Sequence, residues 1–137
     1  MKTSKDPRHI RRVNAVKSLF SYSFDKNQDL DSSLSKKVLD EVEQVDSVIS
    51  KCAPEWPLNQ INKIDLAVLR LAIYELLHEE QTPPKVIIDE AIEIGKQFGS
   101  SASGSFINGV LGAALEKTDR LEDIEEKNKD KLNKNNE

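Results

Sequence analysis

Residues 63–111 read KIDLAVLRLAIYELLHEEQTPPKVIIDEAIEIGKQFGSSASGSFINGVL, and this stretch decides the fold. Ile61, Ile64, Leu66, Ala67, Leu69, Leu71, Ala72, Ile73, Leu76 and Leu77 are too densely spaced for a helix with one buried face. They predict a central helix over 61–79, covered on most sides. Thr82-Pro83-Pro84 breaks that helix and starts another, with Val86, Ile87, Ala91, Ile94 and Phe98 facing inward. Gly99 is the expected C-terminal cap. Small residues from Ser100 to Ser105 lead into a last helix carrying Phe106, Ile107, Val110, Leu111, Ala114 and Leu115. Gly109 and Gly112 fall inside that helix, where each costs about 1 kcal/mol against alanine. That cost predicts a packing reason for both.

Upstream, Asp6-Pro7 is a helix start, because Asp caps free N–H groups and Pro at the first helical position loses no needed bond. Ile10, Val13, Val16, Leu19 and Phe20 then make one apolar face, with Arg8, Arg11, Arg12 and Lys17 largely off it. This helix is expected to end near Phe24. Asp31-Ser32-Ser33 offers a second cap, and Leu34, Val38, Val42, Val45, Val48 and Ile49 form one further stripe before Ala53-Pro54. Trp56, between Pro54 and Pro57 in a bend, is expected to plug the core. No segment alternates convincingly as a strand. The reading is all-α: one helical domain over residues 1–118, then a polar tail over 119–137.

The net charge of −4 hides an asymmetry. Residues 1–17 hold six basic side chains against Asp6, whereas residues 18–118 hold nine basic and sixteen acidic ones. A basic head on an acidic body points to a local anion-binding surface, with nucleic acid the usual candidate. The single cysteine, Cys52, excludes an internal disulfide and a multi-cysteine zinc site, and makes a reducing, cytoplasmic compartment the default. No apolar run approaches the roughly 20 residues of a membrane span.

Catalytic readings find no support. Cys52 has no histidine near it in sequence, and His9 and His78 carry no motif or metal-ligand spacing. There is no phosphate-binding loop and no dinucleotide fingerprint. The expectation is a binding protein without enzymatic activity, metal or cofactor. Arg70 lies inside the most apolar helix and is read as structural. A guanidinium there needs a carboxylate, for which Glu75 and Glu90 are the candidates and Glu90 the favoured one.

The ordered set IDLAVLRLAIYEL, PPKVIIDEAIEIGKQFG and SGSFINGVL resembles the NusB family of transcription antitermination factors. RHIRRVNAVKSLFSYSF, with Ala15-Val16 leading to Leu19-Phe20, resembles the family's arginine-rich first helix. The resemblance implies a NusB-like fold of two small packed helical bundles. It implies capture of single-stranded boxA-type RNA from ribosomal RNA operons together with NusE, a small-subunit ribosomal protein, so that RNA polymerase resists termination. It places Arg8, His9, Arg12, Lys96 and Ser105 on the RNA surface. It places Phe20 and Asp65 on one exposed patch that faces NusE. Alternatives are a stand-alone NusB-like protein-interaction domain, or an RNA-binding domain related to that of ribosomal RNA cytosine methyltransferases.

Overall fold

The computed structural model describes residues 6–118 apart from positions 29 and 31. The described residues form α1 (Pro7–Tyr22), α2 (Ser33–Asp40), α3 (Val42–Cys52), a 3-10 turn (Leu58–Gln60), α4 (Lys63–His78), α5 (Pro84–Phe98) and α6 (Ser103–Glu116), with no strand among them. Asp31 and the expected polar tail from residue 119 lie outside the described residues.

Helix starts follow local chemistry. Asp6 accepts from the Arg8 amide at 2.9 Å, Ser32 from the Ser35 amide at 3.1 Å, and Asn62 from the Ile64 amide at 2.9 Å. Each such cap contributes about 1 kcal/mol. Proline stands at the first position of both α1 and α5.

α4 is the centre of the molecule. Residues 65–69 and 71–76 are all buried, with α1, α2, α3, α5 and α6 packed around it. α1 and α2 pair on one side, and α5 and α6 on the other, while α3 bridges α4 and α6. α1 and α4 run antiparallel: Arg12 meets Glu75 near one end, and Phe24 meets Lys63 near the other. That register brings Phe20 and Asp65 to the same level of the helix pair.

Three local expectations change. The stripe over 34–49 is two helices, broken at Glu41 (φ −112, ψ 19). Leu34 and Val38 are buried from α2, and Val45 and Ile49 from α3, so the apolar phase runs through the kink and conceals it. Trp56 is 50% exposed and rests edge-on against Phe106 at 6.5 Å, so it does not plug the core. The two prolines around it hold its segment on the surface.

The glycines divide. A Cβ at Gly99 would strike Ser103 and the Gly95 carbonyl, and one at Gly95 would strike Ile107, so these two allow α5 to turn tightly into α6. Gly99 itself is extended (φ −98, ψ −158) rather than left-handed. Among the described residues a Cβ at Gly109 or Gly112 would meet nothing within 4 Å, so the packing reason expected for them is not found there.

Candidate nucleic-acid and partner interface

α1 carries the residues of interest, and its phase decides their roles. The buried positions are His9, Arg12, Ala15, Val16 and Leu19. Ile10, placed in the apolar stripe by spacing, is 43% exposed. The buried stripe is therefore rotated from the expected one, and Arg12 falls inside it, three and four residues before Ala15 and Val16. Burial of an arginine is tolerable only with full pairing.

The pairing is extensive. Arg12 Nε donates to both Glu75 carboxylate oxygens at 3.1 Å, and its Nη2 lies 3.1 Å from Glu75 Oε1. Its Nη1 donates to Glu90 Oε1 at 3.3 Å. His9 Nδ1 stands 2.8 Å from Glu90 Oε2. This network ties α1 to α4 and α5. Burial lifts the Glu75 carboxyl above its ordinary value, and the Arg12 hydrogen bonds oppose that rise. His9 and Arg12, expected on the RNA surface, are thus turned inward and committed to carboxylates.

Arg70 is paired and largely buried, as expected of a structural arginine, but its partner is different. Its Nε and Nη2 donate to Asp46 of α3 at 2.9 and 3.0 Å, and the Tyr22 ring lies 6.0 Å away. Glu75 and Glu90 are taken by α1 because α1 and α5 flank the other side of α4.

The basic surface consists of what remains outside. Arg8 is 83% exposed at its side chain and leans on Asp6, with Arg11 and Lys17 exposed along the same helix. Pro7, Ile10, Arg11, Asn14, Lys17 and Ser18 line an open groove that ends at Ser32 and Ser33. Lys17 reaches the Phe98 ring at 5.7 Å, which joins α1 to the end of α5. Exposed Lys96 lies across Gly104, where a Cβ would come within 3.0 Å of Cε. Ser105 is exposed beside Trp56 and Phe106. A cationic arc therefore runs from α1 to the α5–α6 corner. Lys17 was legible as solvent-facing, because it sits on the side of the helix opposite Ala15 and Leu19, whereas Arg11 lies at the edge of the buried stripe and is exposed there.

At the other end of α1, Phe20 is half-buried and meets Phe24 edge-on at 4.9 Å. Phe24 is 64% exposed, and the Lys63 ammonium sits 5.4 Å from its ring. Asp65, expected on an exposed patch with Phe20, is only 6% exposed. It points into the helix packing at the first turn of α4, and its Oδ1 has no hydrogen-bond partner among the described residues. The exposed members of this corner are Phe24 and Lys63, which spacing alone did not single out.

The NusB family model matches residues 10–116. The chain belongs to the NusB family. Among curated NusB transcription antitermination proteins, that of Herpetosiphon aurantiacus is 34% identical and aligned over 84% of this chain and 94% of its own length. That of Acetivibrio thermocellus is 38% identical over 84% of this chain and 78% of its own. That of Syntrophus aciditrophicus is 44% identical over a shorter match, 61% of this chain and 52% of that protein. The solved structure of T. maritima NusB superposes with a TM-score of 0.79 at 33% identity, covering 91% of this chain and 99% of that one. A second structure, of antitermination factors NusB and NusE in complex with dsRNA, shares the fold at TM-score 0.69 and 19% identity, covering 82% and 99%. The all-α NusB fold expected from the central stretch is the one observed.

Proposed function

We propose that this chain is an RNA-binding transcription antitermination factor of the cytoplasm. It captures single-stranded, boxA-type RNA together with NusE and carries both to elongating RNA polymerase. The observation that carries the RNA half is the solvent-facing set Arg8, Arg11 and Lys17 on an otherwise acidic protein, continued by Lys96 at the α5–α6 corner. Guanidinium groups grip phosphate bidentately and stack on unpaired bases, which suits a single strand. Ser105, on the same side as Phe106 and Trp56, borders this surface. His9 and Arg12 act from beneath, holding α1 in the rotation that presents the exposed cations.

The partner half rests on the aromatic corner. Phe24 and Phe20 form an exposed apolar anchor beside Lys63, of the kind that dominates protein interfaces. A donor from the partner that reached Asp65 would satisfy a buried acceptor that has no partner among the described residues. Neither surface calls for catalysis: the half-buried Cys52 thiol is pushed up by burial, the reverse of an activated nucleophile.

The test is titration of a boxA-type RNA oligonucleotide with and without NusE. Binding that strengthens with NusE and weakens steeply as salt rises supports the reading. Salt-independent binding, or none in the presence of NusE, refutes it.

A further inference from the structure

Trp56 is the one tryptophan of the chain, and neither the core nor the cationic arc accounts for its 50% exposure. It stands in the segment between α3 and the 3-10 turn, with Pro54 and Pro57 on either side. An open groove of about 330 Å³ lies beside it, walled by residues 52–56 on one side and by Ser105, Phe106, Gly109 and Val110 of α6 on the other.

We propose that this groove takes one unpaired base of single-stranded RNA, stacked on the Trp56 indole. Trp56 has this part only if the chain binds RNA as proposed above; what is added is a base-binding subsite next to the phosphate-binding arc.

Shape supports it first. Trp56 and Phe106 meet at 6.5 Å with ring planes 80° apart, so Phe106 covers at most one face of the indole. Indole offers a large, stiff stacking surface, and bases of every kind stack on aromatic rings. Gly109 keeps the α6 wall low, since a Cβ there would meet nothing within 4 Å among the described residues. A helical glycine with no packing reason among those residues thereby acquires one: it leaves room for a planar ring.

Charge supports it second. Ser105 joins the groove to the α5–α6 corner, where Lys96 lies across the neighbouring Gly104. Beyond the far end of α6, Lys117 is close enough to Cys52 on the groove wall to oppose the rise that burial imposes on that thiol. Lysines at both ends suit the phosphates that flank a base. Glu55 on the rim repels phosphate, but its carboxylate accepts from an amino group of the kind that cytosine carries. The middle of the groove therefore fits a base and its ends fit the backbone, a division that an apolar protein segment would not need.

The experiment uses the full chain and a boxA-type RNA oligonucleotide, read by Trp56 fluorescence and by the anisotropy of labelled RNA. RNA is expected to quench or shift the emission. Trp56→Ala should weaken binding at least about fivefold, while the helical circular dichroism and the slope of affinity against salt stay those of the wild type. Trp56→Phe should recover most of the affinity. Among oligonucleotides each lacking one base, one should bind Trp56→Ala and the wild type equally, because the stacking partner is already gone. RNA that binds the wild type without altering its emission, or that binds Trp56→Ala within about twofold, overturns the subsite and leaves the arc standing. An emission change produced by NusE without RNA, joined to loss of NusE binding in Trp56→Ala, overturns it in favour of a protein contact. A wild type that binds no RNA overturns the subsite and the RNA reading together.

Discussion

Replacing Arg12 by Met tests whether this arginine is structural or faces RNA. Met keeps an unbranched stem and removes the guanidinium, so the change isolates the charge. Arg12 and Glu75 are 8% and 7% exposed at their side chains, so solvent screens their interaction little. Glu90 keeps His9 as a partner, but Glu75 loses every Arg12 contact. Breaking a buried pair by removing one member costs about 3–5 kcal/mol. For a domain of this size that corresponds to a melting temperature lower by about 12–20 °C. The loss also depends on pH. Glu75 already has a folded-state pKa above its ordinary value because of burial, and Arg12 is what opposes the rise. Without Arg12 it rises further. A group whose folded pKa is raised contributes stability below its unfolded pKa and loses it as pH climbs through the folded value. The deficit of the variant is therefore largest near about pH 7.5 and narrows toward about pH 5, as Glu75 takes up a proton. Urea melts at both pH values read this directly, and Arg12→Met/Glu75→Met should recover much of the loss. A single variant within about 0.5 kcal/mol of the wild type at neutral pH, with no gain from the second change, would refute the buried-pair reasoning.

Other outcomes are expected from the same geometry. Arg11→Glu/Lys17→Glu should melt as the wild type does but bind boxA-type RNA at least about tenfold more weakly, with a shallower salt dependence; unchanged affinity in a titration would remove α1 from the RNA path. Phe24→Ala should weaken NusE binding by about 1–2 kcal/mol while barely altering stability, because the ring is mostly in solvent; calorimetry with the isolated partner checks it. Gly109→Ala should stabilise the chain by up to about 1 kcal/mol, since the added methyl, in a helix interior, meets nothing among the described residues. Gly95→Ala should destabilise it, since the methyl strikes Ile107; both are read from urea midpoints.

Sequence alone determined a good deal of this protein. The caps at Asp6 and Ser32, the Pro83-Pro84 start and the apolar density of 61–77 are local signals, and the helices they announce start within two residues of where they put them. The family was legible for the same reason, because its signature lies in the elements with the strongest local pattern. Tertiary structure decided which face each polar residue of α1 presents and which charges meet. One residue of phase separates an exposed arginine from a buried one, so spacing placed Ile10 inside and left Arg12 outside, and packing against α4 reversed both. Arg12 finds its carboxylate 63 residues away, His9 81 away and Arg70 24 away. Such pairings depend on the register between helices, which the packing of methyl and methylene groups along α4 sets and no helix records by itself. The exposed corner of Phe24 and Lys63 and the meeting of Trp56 with Phe106 arise in the same way, from side chains on separate segments brought together by the fold.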